Sequence, residues 1–257
     1  MSSARPRYLG TNLKMYKTNS ETLRYLRELS EVTAQVDVGA LRMFVIPSYT
    51  ALADASRSMD HSRIMLGAQN MFWAESGQYT GEVSPLMLRE LGVDLVELGH
   101  SERRQVFGET DELINRKVLS ALSHGFTALL CVGETLEERS GGGADAALER
   151  QLRLGLAGLT EEARGRLWVA YEPVWSIGTS GRAAEPDYVA ERCAGIRALL
   201  GGLPGAGAET PILYGGSINL ENAPGYLDLD GVDGLFVGRC AWEARRFGKL
   251  ADMLLSH

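Results

Sequence analysis

Eight short apolar runs punctuate the chain, over residues 8–13, 43–46, 64–68, 95–98, 127–132, 167–171, 212–214 and 235–237. They are continuous rather than alternating, the pattern of strands buried on both faces. Between them lie stretches with helical periodicity, clearest over residues 20–34, 111–124, 144–156 and 185–200. Ser20 and Asp111 offer caps for the first two. The stretches after the second, third, seventh and eighth runs predict shorter or weaker helices. Strand–helix alternation repeated eight times predicts an α/β fold, a closed parallel (β/α)8 barrel, with an open doubly wound sheet as the alternative. The Gly/Ser segments 140–143 and 201–207 read as loops within units, so one barrel domain is expected over residues 1–257.

That length suits the barrel, which commonly spans about 250 residues as one domain. With 45% apolar and 23% charged residues the chain can bury a large core. A formal net charge of −7 excludes the basic footprint of a nucleic-acid or anionic-membrane binder, so an anionic substrate must be captured by local donors. Cys131, Cys193 and Cys240 are too few and too scattered for a disulfide framework or a zinc site. Residues 1–7 are polar, and no apolar run reaches the length of a membrane span. A cytoplasmic protein that inserts in no membrane is expected.

In such a barrel chemistry gathers where strands end, and the polar residues fall there. The run Tyr171-Glu172-Pro173-Val174-Trp175-Ser176-Ile177-Gly178 puts a lone carboxylate at a strand end, before a loop with a rigid start and a glycine-bearing tip. This is the arrangement of a general base beneath a movable lid. His100 closes the fourth strand, Asn12 and Lys14 the first; Gly215-Gly216-Ser217 follow the seventh and Gly238-Arg239 the eighth. Loops after the last two strands frequently bind phosphate through backbone N–H groups. A carboxylate base with an imidazole donor is the minimum for moving a carbonyl along a carbon chain. Plainer readings stand beside these: Lys14 and Glu102 as an ion pair, Cys131 as an inert core thiol, and the charged runs 134–139 and 161–166 as solvated faces. A strand-end lysine such as Lys14 also serves Schiff-base aldolases, a distant alternative.

Taken in order, Asn12-Leu13-Lys14, the 97–104 segment, Cys131-Val132-Gly133-Glu134, the 171–179 segment and Tyr214-Gly215-Gly216-Ser217 are similar to triosephosphate isomerase over nearly the whole chain. The resemblance implies a homodimeric barrel that uses no cofactor and no metal. It implies Glu172 as base, His100 as electrophile, and Lys14 and Asn12 as substrate-positioning groups. Gly178, Ser217, Gly238 and Arg239 would hold the phosphate, with Ser101, Glu102 and Cys131 behind the catalytic groups. The segment 69–83, about fifteen residues without a strong helical pattern, would project into a twofold-related subunit with Thr80 at its tip. The loop 173–183 would close over the phosphate.

The family usually carries two glycines after strand eight, whereas this chain reads Gly238-Arg239-Cys240-Ala241-Trp242. The far end of the lid, Ser180-Gly181-Arg182-Ala183, also differs, and Leu13 and Tyr16 replace the usual Trp and Asn. Together with Gly-Ala-Gln-Asn-Met-Phe-Trp-Ala at 67–74, these features resemble a branch that isomerises four-carbon ketose phosphates in erythritol breakdown. The resemblance implies a small phosphorylated sugar substrate, L-erythrulose 1-phosphate converted to D-erythrulose 4-phosphate. The alternative is the triose reaction, dihydroxyacetone phosphate to D-glyceraldehyde 3-phosphate. Arg239 is expected to pair with a local carboxylate or shift its loop, with Trp242 packed behind it.

Overall fold

The computed structural model describes residues 5–178 and 181–256, so Thr179 and Ser180 of the expected lid lie outside the described residues. In chain order the elements are β1 (Arg7–Asn12), α1 (Asn19–Val32), β2 (Leu41–Ile46), α2 (Tyr49–Ser58), β3 (Ile64–Ala68), α3 (Pro85–Glu90), β4 (Leu95–Leu98), α4 (Ser101–Gln105) and α5 (Asp111–Ser123). They continue with β5 (Thr127–Val132), α6 (Leu136–Ser140), α7 (Ala144–Gly155), β6 (Leu167–Tyr171), α8 (Pro186–Gly201), β7 (Ile212–Tyr214), α9 (Pro224–Leu227), β8 (Gly234–Phe236) and α10 (Ala244–Ser256). Each strand pairs in parallel with the next and β1 pairs with β8, closing the predicted barrel and excluding the open sheet.

Strand side chains alternate between two buried layers because the strand period is two. On β6, Trp168 and Ala170 point into the barrel with Tyr8, Phe44, Leu129, Leu213 and Phe236, while Leu167, Val169 and Tyr171 join the layer under the helices. The Trp168 ring meets Tyr8 at 4.7 Å and Phe44 at 5.8 Å, and Phe44 stacks on Phe236 at 5.6 Å, making an aromatic plug. Gly10 leaves room for it: a Cβ there would lie 2.0 Å from the Phe44 ring. The same parity carries the next inward positions, Asn12, Glu97 and Glu172, into a polar layer above the plug. The floor of the site is thus apolar and closely packed, and its rim is where the strands end.

The helix starts differ from expectation by one or two residues. Thr18, not Ser20, caps α1 through a capping box with Glu21, and Thr110, not Asp111, caps α5 by accepting from the Leu113 N–H at 3.4 Å. The last helix, α10, is longer than its weak pattern predicts, because Phe247, Leu250, Ala251 and Leu254 form one buried face. None of the described helices is long and apolar enough to cross a membrane.

Candidate active site

At the carboxyl end of the strands opens a cavity of about 370 Å³ whose lining includes Asn12, Lys14, His100, Glu102, Glu172, Gly178, Gly215, Ser217, Gly238 and Arg239. The site residues expected from the sequence therefore converge there, except three. Ser101 and Cys131 lie behind it, on a void of about 10 Å³ beside Glu172, and Thr80 is exposed on the projecting loop after β3.

Glu172 is buried, 5% exposed, and its Oε2 has no hydrogen-bond partner among the described residues. Burial raises its pKa to about 7, a rise that the nearby Lys14 charge only partly opposes. Gly215 makes the position possible, since a Cβ on it would stand 2.6 Å from Glu172 Cγ. The carboxyl faces His100 Nε2 at 3.8 Å. His100 caps α4, its Nδ1 accepting the Glu102 N–H at 3.2 Å. With Nδ1 serving as acceptor, a neutral ring must carry its proton on Nε2, toward the cavity. The ring is held neutral, with a pKa lowered to about 4, first by burial and then by the charge of Lys14.

The first strand supplies fixed donors. The Asn12 carbonyl oxygen accepts from Lys14 N at 2.6 Å and from Gln69 Nε2 at 3.0 Å, so its amide nitrogen is oriented toward Glu97, to which it donates. Lys14 is the sole described non-glycine residue with positive φ, 51°, and Gln69 Nε2 clamps its carbonyl at 2.8 Å. Such strain persists only where surrounding bonds over-determine it, and it concentrates at functional positions. Lys14 Nζ pairs with Glu102 at 2.6 Å; burial alone would lower the lysine, but this bond together with the charges of Glu102, Glu172 and Glu97 outweighs it and its pKa is raised. Burial, reinforced by the Glu172 charge, holds Glu97 well above the usual carboxylate range. Glu97, Cys131 and Glu172 bring potential ligand atoms within 4.8 Å of one another, but burial raises all three pKa values, which favours protons over a cation.

Opposite this polar wall lie the glycine loops. Gly178 and Gly238 present backbone N–H groups that have no acceptor among the described residues, whereas the Ser217 N–H already donates to Ser176 Oγ at 3.1 Å. A phosphate reaching Ser217 must share or displace that hydroxyl. The loop after β6 is anchored at its start: buried Glu134 accepts from Trp175 Nε1 at 2.7 Å and Tyr188 OH at 2.9 Å, and Arg139 covers the Trp175 ring at 3.9 Å. Arg239 meets no described carboxylate; it donates to the Gly178 carbonyl at 2.9 Å. Trp242 lies three residues on in the same short turn and lines the cavity with it. Its Nε1 donates to Asn12 O at 2.9 Å and its ring contacts Tyr16 at 4.5 Å, walling the first-strand side. Sequence reasoning missed Glu97, Gln69, Ser176 and Arg246. The inward parity of Glu97, two residues after Leu95, was the available signal for the first; the others reach the site only through tertiary folding.

The family model for triosephosphate isomerase matches residues 7–254. The L-erythrulose-1-phosphate isomerase of Rhizobium etli is 46% identical over 241 residues, covering 93% of this chain and 89% of that protein. The Brucella abortus protein of the same name is 42% identical over 244 residues, 93% of each chain. The triosephosphate isomerase of Carboxydothermus hydrogenoformans is 45% identical over 242 residues, 93% of this chain and 95% of that one. Relatives of both names thus occur at nearly equal identity. The chain belongs to the triosephosphate isomerase family and is an isomerase.

Proposed function

We propose that the enzyme converts L-erythrulose 1-phosphate to D-erythrulose 4-phosphate through an enediolate, with Glu172 as the base. The observation that carries the chemistry is the buried Glu172 carboxyl, unpartnered at Oε2 and raised to about 7, facing a neutral imidazole 3.8 Å away. A base poised near the working pH combines ionisation with strong proton affinity. Glu172 takes the proton from C3, and the electron pair moves into the C2 carbonyl as a C2–C3 enediolate. His100 gives its Nε2 proton to the C2 oxygen and recovers one from the C3 hydroxyl, and Glu172 returns its proton to C2. Atoms and electrons balance without an oxidant, a reductant or any added group. Lys14 and the second amide hydrogen of Asn12 offset the developing charge. The backbone N–H groups of Gly178, Ser217, Gly238 and Arg239 receive the phosphate.

The four-carbon substrate is favoured over the triose by the Gly238–Trp242 sequence, which walls the cavity with Arg239 and Trp242, and by relatives of that name. The test is incubation in D2O with each ketose phosphate, followed by NMR. Deuterium at the carbon gaining the proton, with D-erythrulose 4-phosphate accumulating, is the expected result; a wild type that exchanges and converts neither substrate overturns the reading.

We also propose a cytoplasmic homodimer. Residues 77–82 of the loop after β3 are all exposed, yet the loop is stiff: Phe72 N bonds Val83 O at 2.8 Å, and the Phe72 ring stacks on Trp73 at 3.9 Å and meets Tyr79 at 4.3 Å. Met15 is 94% exposed and Met87 57%, and apolar exposure on this scale fits a partner surface. Lys14, beside Met15, links that surface to the site. Thr80→Arg is expected to give monomers by sedimentation, with turnover reduced at least ~10-fold through loss of a rigid Lys14. A fully active wild-type monomer would refute the assembly.

A further inference from the structure

We propose that Arg239 is a positioning and specificity residue for the substrate phosphate, tying the tip of the loop after β6 to the loop after β8 and presenting the charge that a dianion meets. The proposal rests on the sugar-phosphate reading above.

Three cationic side chains line the cavity, Lys14, Arg239 and Arg246. Lys14 is paired with Glu102 at 2.6 Å and Arg246 with Glu243 at 3.0 Å. Arg239 forms no ion pair among the described residues. In a protein of net charge −7 this is a local positive potential on the wall that also carries the unpartnered N–H groups of Gly178 and Gly238. The cavity therefore separates its duties: the paired lysine and the buried carboxyls face the reacting carbons, and the unpaired guanidinium faces the opposite wall.

The contact made by Arg239 does more than place a charge. Gly178 adopts φ 86°, and among the described residues a Cβ on it would meet nothing within 4 Å, so nothing described packs against that face of the residue. Glycine is the residue with the most backbone freedom to lose. The 2.9 Å bond from Arg239 Nη2 to its carbonyl, across 61 residues of chain, fixes the tip from outside its own loop. Ordering the donor before the anion arrives lowers the entropy cost of binding. A guanidinium can do both tasks, since it has five N–H donors in a planar fork; one serves Gly178, and others remain for a phosphate oxygen. Lysine could supply the charge but not the fork.

The experiment is titration calorimetry of inorganic phosphate into the intact protein, wild type against Arg239→Gln and Arg239→Lys, over a series of salt concentrations, with kcat and KM for L-erythrulose 1-phosphate measured in parallel. Arg239→Gln is expected to weaken phosphate binding at least ~10-fold, the low end for a hydrogen bond to a charged group, and to flatten its salt dependence. Arg239→Lys is expected to keep the salt dependence while recovering only part of the affinity, and both variants are expected to lower kcat as well as raise KM. Phosphate affinity within twofold of wild type in Arg239→Gln overturns the proposal, and full recovery of affinity and kcat in Arg239→Lys overturns the positioning role. Weakened phosphate binding in Arg239→Gln, in a protein whose wild type turns over neither ketose phosphate, supports the anion role and overturns the substrate reading instead. The side chain is solvent-exposed, so unfolding does not confound the comparison, and a melting temperature shared by all three proteins checks this.

Discussion

Glu172→Gln is expected to lower kcat by at least ~10²-fold, the low end of what a positioned general base contributes, with KM changed much less. The amide copies the carboxyl in shape and fits the space that Gly215 leaves open beside Glu172 Cγ. What disappears is basicity. The same carboxyl governs pH dependence: its pKa is raised to about 7 by burial, and only the ionised form can take a proton. Wild-type kcat/KM is therefore full above this value and lost as pH falls through it. His100 titrates near 4 and stays neutral across that window, so it adds no limb there. The residual activity of Glu172→Gln should lack the limb near 7. Steady-state kinetics from pH 5 to 9 on both proteins check it, and near-wild-type turnover in the variant would remove Glu172 from the role.

The strands were legible because burial on both faces leaves an unbroken apolar signature, and β3 to β7 run over the residues that signature marks. Their ends were legible for the same reason: a polar residue closing such a run has nowhere to go but the rim, and Asn12, His100 and Glu172 all line the cavity. Helix starts were harder. Thr18 precedes Glu21 by three residues, a capping box visible in the sequence, but Ser20 competes as a cap; only the backbone, extended at Thr18, decides. The five residues of α4 are too few to show a period, so the cap at His100 that sets its proton position could not be read directly. Least legible were contacts between distant loops. Nothing in the local chemistry of Arg239 points to a carbonyl 61 residues away, or of Trp242 to the backbone of Asn12. Such pairings are fixed by strand order in the closed barrel, which brings β8 beside β1 and only one strand away from β6.

The efficiency kcat/KM for L-erythrulose 1-phosphate is expected to exceed that for dihydroxyacetone phosphate by at least ~10²-fold, a conservative share of the ~10⁴-fold by which a site built for a hydroxyl can reject an analogue without one. The substrates differ by one hydroxymethyl group, on the carbon that surrenders its proton to Glu172. That carbon must lie by Glu172 and His100, and a group extending from it toward the first-strand wall would meet Asn12 and Lys14, which line the same cavity. Asn12 cannot accept from it, because its oxygen already serves Lys14 N and Gln69, and its single free amide hydrogen is needed by the enediolate. Lys14 can receive it. Its ammonium has three donors, only one of which is taken up by Glu102, and Gln69 holds its backbone in place. Without the hydroxymethyl, one of these donors faces a gap that water fills less well, and the reacting carbon is less tightly oriented. Parallel progress curves on the two ketose phosphates with one enzyme preparation measure the ratio. Equal or higher efficiency on the triose overturns the four-carbon assignment and leaves the Glu172 and His100 chemistry intact, because proton transfer between adjacent carbons needs the same base and the same neutral imidazole in either substrate.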